Sequence, residues 1–143
     1  MNENEPPQPP PPAENEALPP PPVSNGGFLS NLTLNQWAMF LHLSQLLSLI
    51  LPGLGIAAPI LIWQIQKTQF PELDRHGKMV TNWLISLLIY VVAAFVASLA
   101  TCGIGAVLFV PIALVGIVFP IIGGIKANNG LFWSYPLTIP FIK

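Results

Sequence analysis

Two small groups of residues in this chain have types and spacing that could do chemistry. His42 is the only titratable side chain in an apolar block running from Trp37 to Ile65. An ionisable group inside such a block is often functional, and a buried imidazole could pass protons. Relays, however, are built from several acids or histidines, and no Asp or Glu falls inside any apolar block. The reading favoured is a neutral imidazole hydrogen-bonded to Ser44, Ser48 or a group such as Asn82 on a neighbouring helix. Asn82 and Ser86 share one helical face and suit the same bonding between helices.

The second group is Asp74-Arg75-His76-Gly77-Lys78. It resembles a catalytic or phosphate-binding cluster only on the surface. One His and one Asp are too few ligands for zinc, no nucleophile lies near, and no Gly-rich loop precedes it. Lys78 is expected to anchor a membrane span, Gly77 to relieve the backbone where loop becomes helix, and Arg75 to meet lipid phosphate or a partner. No paired carboxylates and no basic patch occur elsewhere, which argues against an enzyme and against nucleic acid as a partner. No cofactor, metal or catalytic residue is assigned. The lone Cys102 cannot form an internal disulfide and reads as a small residue in a tight turn.

The elements that position these residues follow from hydropathy. From Met79 to Ile125 the chain runs 47 residues without Asp, Glu, Lys, Arg or His, interrupted only by the turn signal Cys102-Gly103-Ile104-Gly105. Each half, at about 1.5 Å per residue, reaches the roughly 30 Å of a hydrocarbon core. The whole sequence is 52% hydrophobic and 8% charged, which belongs to the membrane class. In the block from Trp37 to Ile65, Pro52-Gly53 followed by Gly55 predicts a short helical hairpin rather than one broken helix. The fold class expected is therefore all-α and polytopic: four helices, as a short proline-gapped hairpin plus a long hairpin, with spans at about 36–51, 54–66, 79–101 and 104–125. Pro111 and Pro120 are expected to kink the last span. Ala93, Ala97, Gly116, Gly123 and Gly124 supply small surfaces for helix packing.

Residues 1–33 read as a disordered, proline-rich, acidic tail, and 34–143 as the membrane domain. The tail lacks the features of a cleaved signal peptide, so the first apolar helix is expected to direct insertion. Lys67 to Lys78 holds five of the eleven charged residues and reads as a loop in water. With Lys126, it puts the loop and the C-terminus in the cytoplasm by the positive-inside rule. Trp133 and Tyr135 are expected in a strip along the membrane interface, at headgroup depth.

Trp37, His42-Leu43-Ser44, Pro52-Gly53-Leu54-Gly55, Leu73-Asp74-Arg75-His76-Gly77-Lys78, Asn82-Trp83 and Tyr135-Pro136-Leu137 together resemble a family of small bacterial membrane proteins of unknown function. That family is grouped as similar to the Tic translocon subunit of the chloroplast inner envelope. The resemblance implies a bacterial cytoplasmic membrane and a role in a membrane assembly, with protein translocation as the pathway. The leading expectation is thus a non-enzymatic subunit or scaffold. The bilayer is its solvent, with a membrane protein partner or a second copy beside it. The competing class is a small oligomeric channel or transporter, motivated by His42, Asn82 and the proline-gapped hairpin.

Overall fold

The structure is a computed structural model that describes residues 28–143; of the tail expected at 1–33, residues 1–27 lie outside the described residues. Among the described residues there are four α-helices, three 3-10 segments and no strand. Phe28–Asn31 makes a 3-10 turn. Helix α1 (Leu34–Leu43) continues as the 3-10 segment Ser44–Leu49, and α2 (Leu54–Gln66) follows a turn at Pro52-Gly53. Helix α3 (Leu73–Ala100) is joined through the 3-10 segment Ile104–Leu108 to α4 (Phe109–Asn128), and residues 131–143 form an irregular strap.

Local chemistry explains these boundaries. Thr33 and Gln36 form a capping box: the Thr33 hydroxyl accepts from the Gln36 amide and the Gln36 side chain accepts from the Thr33 amide at 2.8 Å. The span expected at 36–51 changes pitch at Ser44, and because a 3-10 turn rises about 2.0 Å per residue, α1 and its continuation still reach ~27 Å. Gly53 supplies the positive φ of 98° that reverses the chain. Helix α4 closes with a Schellman pair, in which Leu131 donates to the Lys126 carbonyl and Gly130 to the Ala127 carbonyl, both at 2.9 Å.

Three expectations are corrected here. Asp74 to Lys78 is not loop but the first turns of α3, where Asp74 suits the positive helix end and pairs with Lys78 at 2.7 Å, four residues on. Gly77 therefore sits inside the helix, and its role is steric: a Cβ there would run into the Trp63 indole of α2. Pro111 falls in the first turn of α4, where a missing N–H leaves no bond unmade, so of the two only Pro120 lies in the interior of α4.

Packing sets the arrangement. Helix α1 runs antiparallel to α4, with Asn35 beside Gly130 and Leu43 beside Gly124. Helix α2 returns along the pair, so that Trp63 lies under Gly77 and its indole N–H donates to Asp74 at 3.0 Å. The expected long hairpin is not a closed pair: α4 packs chiefly on α1, and α3 meets α4 only thinly. The reason is that the strap and its aromatics fill the space between them. Burial on α3 ends at Ser86 apart from Ala94, and on α4 it is confined to Pro120, Gly123, Gly124 and Ala127. Beyond that end both helices present Leu, Val and Phe outward, including Phe95, Leu99, Val110 and Leu114.

Helices α3 and α4, the latter with its 3-10 lead, are long and apolar enough to cross a membrane. Only 17% and 11% of their apolar windows are buried within the protein, which distinguishes them from the core helices of a water-soluble fold. The chain is a membrane protein. The charges of the described residues are one-sided: all seven lie where α2 ends, where α3 begins, at the end of α4 and at the end of the strap.

The Gly77 contact gives a test in which two known effects oppose each other. Gly77→Ala should gain about 1 kcal/mol of helix propensity. Forcing a methyl into the Trp63 ring costs about 1–3 kcal/mol. A lower melting temperature in detergent is expected, and Gly116→Ala, which meets only open van der Waals distance at Leu87, should not lower it.

Candidate functional site

At the charged end, two histidines distant in sequence meet inside the protein. His42 is 1% exposed, and both of its ring nitrogens are engaged. Nδ1 lies 2.7 Å from the Tyr135 hydroxyl, and Nε2 lies 3.1 Å from Nδ1 of His76. Which nitrogen carries the proton is a matter of tautomer. The Gln45 amide nitrogen, one turn along from His42, donates to the Tyr135 hydroxyl at 3.2 Å and to the His42 carbonyl at 3.1 Å. Burial pushes the Tyr135 phenol up from its ordinary value, opposed by the Gln45 bond, so the hydroxyl keeps its proton at neutral pH.

Backbone and packing hold this array from every side. Gly123 of α4 provides its room: a Cβ there would come within 2.6 Å of the Tyr135 ring and 2.8 Å of His42 Nδ1. The Tyr135 ring packs among Trp83, Phe119 and Trp133, with centroids 5.2–5.8 Å away. His76 is half-buried and meets the edge of Phe132, whose face is covered by the Arg75 guanidinium at 3.7 Å.

Asn82 does something else. Its carbonyl oxygen accepts from the backbone amides of Phe141 and Ile142 at 3.1 and 2.8 Å, and its amide donates to the Ile142 carbonyl at 2.9 Å. One turn on, the Ser86 hydroxyl accepts from the Ile139 amide at 2.9 Å, and one turn further the Tyr90 hydroxyl donates to the Leu137 carbonyl at 2.6 Å. The strap thus descends from Leu131 to Tyr135, reverses at Pro136 and Leu137, where Leu137 has φ 66°, and returns along one stripe of α3.

Of the positions singled out from sequence, the structure brings His42 and His76 together. It puts Asn82 on the strap, Arg75 over Phe132 and Lys78 in its ion pair with Asp74. The partners expected for His42 are wrong: Ser44 and Ser48 donate back to the carbonyls of Leu41 and Gln45, as hydroxyls within helices commonly do. Tyr135 is in the interior at 2% exposure rather than open at headgroup depth. Sequence reasoning passed over Gln45, although three residues from His42 in an apolar block it shares the same face. Tyr135 left no such signal, being 93 residues away. Among the described residues no three His, Cys, Asp or Glu side chains converge as metal ligands.

Replacing Asn82 with Leu keeps the volume but strips two backbone amides and one carbonyl of their partners, each costing about 1–3 kcal/mol if left buried. The strap should detach while the helices persist. Limited proteolysis in detergent should then cleave within 131–143 faster than in the wild type, at unchanged helical circular dichroism; equal cleavage would mean that the aromatic contacts alone hold it.

A model of the magnetosome magnetite crystal formation protein family (MamF/MmsF) matches residues 33–142. No curated protein and no solved structure matches the chain. The residues that suggested a Tic-like translocon subunit all lie within the matched stretch, and that resemblance is overturned. The expectation of protein translocation goes with it.

Proposed function

We propose a function on the premise that the chain belongs to the magnetosome magnetite crystal formation protein family. It acts as a non-enzymatic subunit of the membrane that surrounds a growing magnetite crystal, and its task is to support crystal formation from within that membrane. The observation that carries this reading is the family match, which takes in every described helix after the first 3-10 turn. A non-enzymatic role is supported by the site itself. His42 is held between Tyr135 and His76, and the nearby Ser44 and Ser48 hydroxyls donate to backbone carbonyls.

The chain crosses the bilayer four times, with the charged end in the cytoplasm. Supporting this are the antiparallel succession of the four helices and the gathering of five basic residues against two acidic ones at one end. The short α2 is accommodated by the longer helices beside it and by local thinning.

Two measurements test the reading. Deleting the gene in its native cells should leave membrane vesicles in place but alter the size or number of magnetite crystals seen by electron microscopy; unchanged crystals would refute the role. For topology, the natural Cys102 is exposed in the far turn. A membrane-impermeant maleimide should label it only from the side opposite the cytoplasm, whereas Gln69→Cys in a Cys102→Ser background should label only from the cytoplasmic side.

A further inference from the structure

The polar array at the charged end has a direction, and Gln45 sets it. The amide group of Gln45 lies against the His42 carbonyl at 3.1 Å, and a carbonyl oxygen can only accept. The atom facing it is therefore Nε2, and turning the amide over would set two oxygens against each other. Nε2 keeps this place although it leaves Gln45 Oε1, a buried oxygen, without a partner among the described residues. Its second proton goes to the Tyr135 oxygen at 3.2 Å.

From there each donor follows from the one before. Among the described residues the Tyr135 hydroxyl meets Gln45 Nε2 and His42 Nδ1, and the amide nitrogen has no lone pair to offer. The phenol proton must point at His42 Nδ1, at 2.7 Å, or be left buried without an acceptor. Neutral His42 then carries its proton on Nε2 and donates it to His76 Nδ1 at 3.1 Å. Neutral His76 in turn carries its own proton on Nε2. The one lone pair at which His76 could take up a second proton is thus the one already filled by His42.

We propose that this fixed direction makes the His42–His76 contact a latch between α1 and α3 that opens when His76 gains a proton. With both nitrogens of His76 protonated, two N–H groups would face each other across 3.1 Å. Reversing the array would relieve that clash, with His42 donating from Nδ1 to the Tyr135 oxygen and accepting at Nε2. The reversal strands the phenol proton, because Gln45 is held by the His42 carbonyl and presents no acceptor. The ring of His76 instead turns toward the charged surface, being only half-buried and in the opening turn of its helix. Phe132 of the strap, which packs on it at 5.3 Å, loses that neighbour.

The surroundings of His76 favour its neutral form. Among the described residues the one ion pair is Asp74–Lys78, so no carboxylate is paired with the imidazole. Arg75 beside it is a like charge, Glu72 is exposed ahead of the helix, and the positive end of α3 adds to the cost of a cation there. From the other elements α1 presents His42, and the strap presents Phe132 and, behind His42, Tyr135. Helix α2 is followed by Lys67, over Trp63 at 5.4 Å, and α4 carries Lys126 in its last turn. His76 precedes the uncharged run that starts at Met79, and burial, with Arg75 second, pushes it below its ordinary value. Turned out into water, it returns to that value of about 6.5. The latched form therefore binds a proton less readily than the open one. It is fully in force above about pH 6.5 and weakens as pH falls through that value. The latch responds to pH on the charged side of the membrane, and its geometry stands apart from the family reading.

The test is ring-nitrogen NMR of the full chain in dodecyl maltoside micelles, with labelled histidine, from about pH 8 to about pH 4. The chain has two histidines, and His76→Gln identifies the signals of His42. At high pH both rings should be neutral with the proton on Nε2. As His76 charges, His42 should keep its Nε2 proton but lose its hydrogen-bond shift at the same midpoint. Tyr135→Phe keeps the ring and removes the phenol proton that locks the direction. In this variant His42 should switch to the Nδ1 tautomer as His76 charges, and the His76 midpoint should rise by about one pH unit, a tenfold gain in proton affinity. Burial alone would leave the midpoint where it was, since Phe fills the same space. Equal midpoints in wild type and folded Tyr135→Phe overturn the latch, as does a neutral wild-type His42 with its proton on Nδ1. Should Tyr135→Phe fail to fold, the wild-type tautomers above and below the midpoint decide alone. Failure here leaves the crystal phenotype of the gene deletion untouched, and unchanged crystals leave the latch standing, so the two proposals fall separately.

Discussion

An irregular stretch of backbone packed among apolar helices must find a partner for every amide and carbonyl it buries, because hydrocarbon offers none. Much of this structure follows from how residues 131–143 meet that demand. Asn82, Ser86 and Tyr90 stand one turn apart on α3 and supply donors and acceptors to Ile142, Phe141, Ile139 and Leu137 in order. The same strap that needs this stripe carries Tyr135 back to His42. Tethering and site are consequences of one fold-back.

The strap also explains why the two long helices do not close on each other. Trp83, Phe119, Trp133 and Tyr135 form a continuous aromatic cluster at the charged end, with neighbouring centroids 5.1–5.8 Å apart. Dense packing is concentrated there, and glycine marks the tightest approaches: Gly77 under Trp63 and Gly123 beside His42 and Tyr135. Toward the other end α3 and α4 show their side chains to lipid, where apolar surface carries no penalty. Among the described residues the protein is thus polarised along its long helices in both charge and packing.

Family membership and site geometry speak to different parts of the function. The first places the chain in the magnetosome magnetite crystal formation protein family. The second describes hydrogen bonds that join His76, His42, Tyr135 and Gln45 across three separate parts of the chain. The misleading resemblance to a translocon subunit has a physical origin. Length, helix count and proline-gapped hairpins are imposed on any small polytopic protein by bilayer thickness and backbone satisfaction, so they discriminate poorly among families.

What the sequence by itself determined is what the solvent dictates locally. The uncharged run from Met79 to Ile125 required membrane-length helices, Pro52-Gly53 required a turn, and the clustering of Lys67, Arg75, Lys78 and Lys126 made one end charged. His42 stood out for the same reason, as a titratable group in an apolar run. Only the tertiary structure decided its partners. Tyr135 and His76 lie 93 and 34 residues away, and no periodicity links positions on three separate elements. Helical spacing gave the stripe Asn82–Ser86 correctly, yet its purpose depended on a strap whose aromatic residues equally suit a membrane interface. Hydropathy separates water from lipid, but it cannot tell a residue facing lipid from one facing the protein interior when both surroundings are apolar.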